Sequence, residues 1–376
     1  MSDILFLTTA HHYNDDRIFF HQAKALQESG HRVKICSLSS AFHGTIDGIE
    51  VESYSVLQRS TEDKKRIFET ICEKFRPDCI ICSEPLAVIA ARKYRKKKKT
   101  EIIYDITEWY PSMRMVENFR FPMNIFHAFK FFLVQLYAGF LSTGYIFGED
   151  AKKFPLAYFF PFTKSLLLPY YPDEQYIHPH LKKPEKNKIT LCYTGQFSEE
   201  KGIGNFFAAA DQVRKKKPDL VVSLLLIGGC RKEKDEQYFS ELLSEYRFER
   251  ITIRKSASFE TFTESYAEAD LCFDLRTLNF ENDHCLPIKI FYYAASGKPV
   301  IYTDLKATRK HVNVSEFGYL VDPEDSGKIA DLIIKYAENP DLYECHSRNA
   351  RLSYEHKYNW KNIREPFVRF IQNSLP

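Results

Sequence analysis

Residues 269–304 read ADLCFDLRTLNFENDHCLPIKIFYYAASGKPVIYTD, and the rest of the chain is organised around them. Residues 271–275 are short and apolar, as a buried strand is. Residues 276–285 are polar and irregular, a loop. A helix is predicted from about Pro287, whose missing N–H would be unpaired at a first helical position anyway. Gly297 stops it, because a left-handed residue closes a helix most cheaply there. Val300, Ile301 and Tyr302 continue as a second buried strand. A loop that feeds a helix N-terminus at a strand end can seat an anion, since free N–H groups and the helix dipole point at it.

The same alternation recurs on both sides. Towards the N-terminus, a strand over 4–8, a loop over 9–17, a helix over 18–29 closed by Gly30 and a strand over 32–38 have the size of a βαβ crossover. Helices over 65–75 and 86–97 alternate with strands over 79–82 and 101–105. A second series starts at Ile189. It predicts helices over 205–215, 238–246, 262–269 and 326–337, strands over 220–227, 251–255 and 318–321, and an amphipathic helix over 360–373. Between them lies a stretch with Pro169, Pro172, Pro179 and Pro184 and four lysines, read as a domain boundary. The pattern predicts an α/β protein with two doubly wound, Rossmann-like domains facing across a cleft. They cover residues 1–172 and 187–355, with a C-terminal helix over 356–376 crossing back to the first domain.

A chain of 376 residues suits two domains, and 44% apolar residues supply two cores. A net charge of +3 argues against a protein built to bind nucleic acid. Nine scattered cysteines suit a reducing, cytoplasmic setting better than a disulfide framework. Cys79 and Cys82 form a CxxC, but CIIC reads as a buried strand that sends the two thiols to opposite faces, not as a redox or zinc pair. The opening residues do not read as a signal peptide, and no span is apolar enough to cross a bilayer.

Residues 122–147 crowd Phe126, Phe129, Phe131, Phe132, Tyr137 and Phe140 at helical spacing. The favoured reading is a helix buried between domains; the alternative is a face that dips into a membrane. Residues 92–99 form a basic run interrupted by Tyr94 alone. It reads as a solvated helix end or as a contact with an anionic membrane surface.

The segment YTGQFSEEKGIG, residues 193–204, follows the first strand of the second series and opens a helix. Its glycines let backbone approach a phosphate, and Lys201 supplies a cation beside it. Alone it reads equally as a tight turn, and it matches neither the full Walker A nor the full dinucleotide pattern.

Together with ADLCFDLR and LPIKIFYYAASGKPVI, that segment resembles the second domain of GT-B glycosyltransferases, specifically the retaining group called family 4. HHYNDDRIFFHQAKALQESGHRVKICS and YDITEWYP resemble the first domain of the same enzymes. The resemblance covers nearly the whole chain, in order. It implies a nucleotide-sugar held by the C-terminal domain and an acceptor held by the N-terminal one. Donor residues by this resemblance are Gly195, Gln196, Lys201, Gly202, His284, Leu286, Pro287, Lys289 and Tyr292, with Lys201 on the diphosphate. Gln196 stands where many relatives carry arginine. His284 and Tyr292 stand where the family has two glutamates, and Glu281 or Asp283 is the candidate replacement. On the acceptor side are His11, Asp16 and Arg17, with Arg17 expected to meet a phosphate and Asp16 a hydroxyl. A bland helix start explains the same loop. Thr107 replaces a common histidine, and Asp105 or Glu108 is expected to orient the acceptor as the catalytic carboxylate. No metal or other cofactor is expected.

The resemblance therefore implies a retaining hexosyltransferase of cell-surface polysaccharide synthesis. It would move sugar from a UDP- or GDP-sugar to a glycan or lipid-linked hydroxyl, in the cytoplasm or peripherally on the inner membrane face. The altered positions motivate an alternative, a catalytically silent GT-B partner or scaffold subunit. A sugar-nucleotide epimerase is a third reading.

Overall fold

Eight strands of the first unit pair in the order β3-β4-β2-β1-β5-β6-β7-β8. They are β1 Asp3–Thr8, β2 Arg32–Ser37, β3 Ser39–Ile46, β4 Ile49–Ser55, β5 Cys79–Cys82, β6 Glu101–Ile106, β7 Gly144–Phe147 and β8 Lys164–Leu167. In this computed structural model the described residues are 1–110 and 112–375, apart from the Met113 side chain. Pro111 of YDITEWYP thus lies outside the described residues. The central strands are almost wholly buried, as a parallel sheet covered on both faces requires. The edge pair β3–β4 is antiparallel, joined at Asp47-Gly48 with φ of 50° and 79°. Asp-Gly is the residue pair that such a hairpin turn favours, a signal present in the sequence but not used above.

The loop after β1 leads into a wide, π-type helical segment, Asp16–Ala23, that tightens into α1, Lys24–Glu28. Next come α2, Thr61–Phe75, capped by the Ser60 hydroxyl, and α3, Pro85–Arg95. They are followed by α4, Met123–Leu141, and α5, Leu156–Phe159. Cys79 and Cys82 are both buried in β5 as free thiols, and burial pushes Cys82 far above its ordinary pKa.

The second unit holds six parallel strands in the order β11-β10-β9-β12-β13-β14. They are β9 Lys188–Gln196, β10 Val221–Gly229, β11 Ile251–Arg254, β12 Leu271–Asp274, β13 Val300–Thr303 and β14 Gly318–Val321. Its helices are α6 Ile203–Lys216, α7 Glu233–Tyr246, α8 Phe262–Ser265, α9 Phe280–Asp283, α10 Lys289–Ala295, α11 Lys306–His311, α12 Ser326–Glu338 and α13 Pro340–His356, and α14 Trp360–Gln372 follows them in the chain. The helix expected over 262–269 is only the single turn α8. The helix expected from Pro287 begins two residues later and spans seven residues. It is too short a helix to carry the anion site that its sequence suggested.

By contacts, one unit is Met1–Tyr170 with Ile363–Pro376 and the other is Tyr171–Asn362. The proline-rich stretch is therefore packed into the second unit rather than left as a linker, with Ile177 buried in its core. In α14, Phe367 and Ile371 are buried, and the ring of Phe370 lies beside Gly144 of β7.

The reading of 122–147 as a buried helix is not what the structure shows. In α4 only Gln135, Ala138, Gly139 and Leu141 are buried. By length and composition α4 is also long and apolar enough to cross a bilayer, contrary to the expectation of no such span.

Candidate functional site

Each sheet reverses its strand order once, and ligands of open α/β sheets bind outside the carboxyl ends of strands at such a reversal. In the second unit the reversal falls between β9 and β12, which are neighbours. Their two following loops are tied together. Thr277 N–H donates to the Glu200 carbonyl at 3.1 Å, and the Asn205 amide donates to the Leu275 carbonyl at 3.0 Å. Gly202 sits in this contact with φ of +78°, and a Cβ there would fall 1.8 Å from the Leu275 oxygen. Only glycine lets the loops approach this closely. Gly195, with φ of +120°, similarly leaves room for Lys289, whose Nζ a Cβ would meet at 2.9 Å.

The charges of this site are a linked set. Arg276 donates through Nε and Nη2 to the two Asp274 oxygens at 2.7 and 2.5 Å, and both side chains are buried. Lys289 donates to the Thr194 carbonyl and lies 3.9 Å from Asp274. Burial opposes the Asp274 charge, but Arg276, and then Lys289 and Lys201, hold its pKa below the ordinary range. Lys289 is held low by burial first; Asp274 works against that, while Arg276 and Lys201 add to it. Lys201 is half-buried, 3.6 Å from Glu200. Three cations thus face two carboxylates beside a glycine-opened loop at the mouth of the sheet. A diphosphate suits that arrangement, because its negative charge would favour the charged form of Lys289 and it would accept hydrogen bonds from both lysines.

In the first unit the reversal falls between β1 and β5. The loop after β1 carries His11, and Glu84 follows β5 just before α3. His11 Nδ1 lies 3.0 Å from Asp15, and its Nε2 lies 3.4 Å from the Thr107 hydroxyl and 4.0 Å from Glu84. Burial pulls the His11 pKa down. The Asp15 hydrogen bond and the charges of Asp15, Glu84 and Asp105 outweigh that and raise it to about 9. Glu84 is buried and raised by that burial, against hydrogen bonds from the backbone N–H groups of Thr9 and Ala10 at 2.8 and 3.1 Å and the Thr8 hydroxyl at 3.0 Å. At neutral pH His11 is therefore an imidazolium, a hydrogen-bond donor and not a base.

Comparison with known proteins agrees with this fold. Residues 188–339 match the family model described as glycosyl transferases group 1. The fold is similar to that of sucrose-phosphate synthase from Thermosynechococcus elongatus, with a TM-score of 0.75, 16% identity and coverage of 99% of both chains. It is also similar to HepE of Anabaena, solved with UDP-glucose, with a TM-score of 0.69, 13% identity and coverage of 99% of this chain and 100% of that one. A UDP-forming trehalose-phosphate synthase from Burkholderia xenovorans superposes with a TM-score of 0.68, at 13% identity and coverage of 100% and 99%. No curated protein matches the sequence. The chain has the GT-B fold.

Within this GT-B chain the expected site residues divide. Gly195, Lys201, Gly202 and Lys289 come together as described. Gln196 does not point to an open phosphate site, because its amide donates to Asp235 at 2.8 Å. Leu286 and Pro287 are buried and support the loop as packing. His284 is exposed, its ring tilted against Phe280 at 4.4 Å with Nδ1 2.7 Å from the Phe280 carbonyl. Tyr292 is buried, with its ring edge-on to Phe259 and Phe262 at 6.3 and 5.5 Å. It fills core space instead of offering an open phenol to a ribose. Asp283 is spent on Lys306 at 2.6 Å.

On the other unit, Arg17 and Asp105 are corrected together. Both are buried, and Arg17 forks Asp105 with two bonds of 2.8 Å, donates to the Leu168 carbonyl at 2.9 Å and lies over Tyr170 at 4.4 Å. Gln22 donates to Asp105 as well, at 2.7 Å. Neither is open to a phosphate or an acceptor hydroxyl. Asp16 accepts from its neighbour Arg17 N–H at 2.9 Å, and Asp15, not Asp16, faces His11. Glu108 is exposed just beyond β6. Glu84 was missed by sequence reasoning. Its signal was an acid in CSEP, between an apolar run and a helix-starting proline.

Proposed function

We propose that the protein is a retaining glycosyltransferase that takes a sugar from a nucleoside-diphosphate sugar and gives it to a hydroxyl of a glycan or lipid-linked acceptor. The observation that carries this reading is the placement of Lys201 and Lys289 beside Gly195 and Gly202, at the carboxyl ends of β9 and β12. Two similar structures support the donor class: HepE, solved with UDP-glucose, and a synthase described as UDP-forming. In the reaction the bond between the anomeric carbon and the diphosphate oxygen breaks. The acceptor oxygen bonds to that carbon from the same face, and its proton passes to the departing phosphate oxygen. Lys201 and Lys289 stabilise the negative charge that builds on the leaving group, where such stabilisation matters most.

Calorimetry with UDP, GDP and their common sugars tests this. Wild-type protein should bind at least one of them. Lys201→Ala should weaken that binding about 10- to 100-fold, the worth of one charged hydrogen bond, and should abolish transfer with the fold intact. Unchanged turnover in Lys201→Ala would sink the assignment. A second reading, a silent GT-B partner subunit, is favoured by Tyr292, which lies packed among Phe259 and Phe262 where the family resemblance places a ribose-holding carboxylate. Failure of every nucleotide to bind would select that reading.

A further inference from the structure

The exposed face of α4 has no role in either candidate site. Phe126, Phe129, Leu133, Tyr137 and Phe140 fall at spacings of three and four, so they form one stripe about 21 Å long. Phe126 is 61% exposed and Phe140 is 70% exposed. The stripe continues onto α5 and its flanks, where Phe132 meets Phe154 and Phe159 at 6.3 and 6.1 Å. Phe162, just beyond, is 99% exposed. Together these side chains leave on the order of 800 Å² of apolar surface in water, more than a typical monomer's largest patch.

Charge says what covers it. Residues 122–148 and 155–165 contain no aspartate or glutamate. Helices α3 and α4 both run back against parallel strands, so both end at the amino-terminal edge of the sheet. The segment after α3, before β6, carries exposed Lys96 and Lys99. Next along that edge come Phe140, shortly before β7, and Phe162, shortly before β8, because β6, β7 and β8 are consecutive neighbours. Cations and inserting aromatics therefore share one edge. We propose that this face docks the first unit on a bilayer leaflet bearing anionic head groups, with α4 lying in the interface plane. Its aromatic stripe enters the acyl boundary while Lys96 and Lys99 meet lipid phosphates.

Two alternatives fit less well. A spanning α4 would pull Ala138 and Leu141 out of the core in which they are buried. A second copy seated on the same face would find few polar groups on α4 to fix a register. The proposal does not depend on the nucleotide site.

Flotation of the full chain with vesicles tests it. One set holds phosphatidylcholine alone and the other adds phosphatidylglycerol. Wild type should float with the anionic vesicles at low salt and lose most of that binding at high salt. Phe126→Glu with Phe129→Glu should reduce binding about 10- to 100-fold, and Lys96→Glu with Lys99→Glu at least about 30-fold. Their melting temperatures should not change, since all four side chains are exposed. No flotation at low salt, or equal flotation of the Phe→Glu variant, would overturn the proposal. So would a concentration-dependent dimer, seen by sedimentation velocity without vesicle binding, that the Phe→Glu variant abolishes.

Discussion

Removing the Arg17 side chain should unfold the first unit sooner rather than simply weaken a ligand. Arg17→Met keeps the stem and deletes three charge-assisted bonds, to the two Asp105 oxygens and the Leu168 carbonyl. Asp105 stays buried, with the Gln22 amide still donating to it. Breaking one side of a buried ion pair costs about 3–5 kcal/mol, because the stranded charge keeps its desolvation penalty. For a unit of this size each kcal/mol shifts the melting point by about 2–4 °C, so the first unit should melt about 6–20 °C lower. Replacing both partners, as Arg17→Met with Asp105→Leu, should recover most of the loss. The assay is thermal melting by circular dichroism of the wild type, both single variants and the double. A coupling energy below about 1 kcal/mol, or an Arg17→Met protein of unchanged melting point and lost activity, would refute the reasoning and return Arg17 to the ligand site.

Two further outcomes follow from the sites. His11 is raised from 6.5 to about 9, so its stabilising charge is fully present below about pH 6.5 and is lost as pH rises through 9. His11→Gln should therefore cost about 1–3 kcal/mol near pH 6 and almost nothing above about pH 9.5, and a difference that stays flat with pH in urea titrations would contradict the assignment. Gly202→Ala places a Cβ 1.8 Å from the Leu275 oxygen at φ of +78°. It should lose about 2–4 kcal/mol of stability and weaken nucleotide binding as the two loops separate. Equal melting points and equal nucleotide affinity would show that the loops do not need that contact.

Much of this was legible in the order of residues. Apolar runs such as ILFLT and LCFD, broken by Gly and Pro, dictate buried parallel strands, because period and burial are local properties of the chain. Gly202, Lys201 and the stretch around Lys289 could be picked out for the same reason, since a loop at a strand end needs glycine and a phosphate needs a cation. The partner of each charge was not legible. Arg17 and Asp105 are 88 positions apart, and Lys289 reaches Thr194 across 95. Which cation is spent inside the fold and which stays available depends on strand order. So does the use of Glu84, which becomes a neighbour of His11 only because β5 pairs with β1. Tyr292 reads as a substituted ligand until Phe259 and Phe262 are seen against its ring. The aromatic stripe of α4 reads as core until the sheet is built, because periodicity marks an apolar face but not what lies opposite it. Sequence alone determined the two α/β halves and the glycine-bearing loops at their strand ends. Tertiary structure decided which side chains remain to do chemistry, because burial and pairing are set by contacts between residues far apart in the chain.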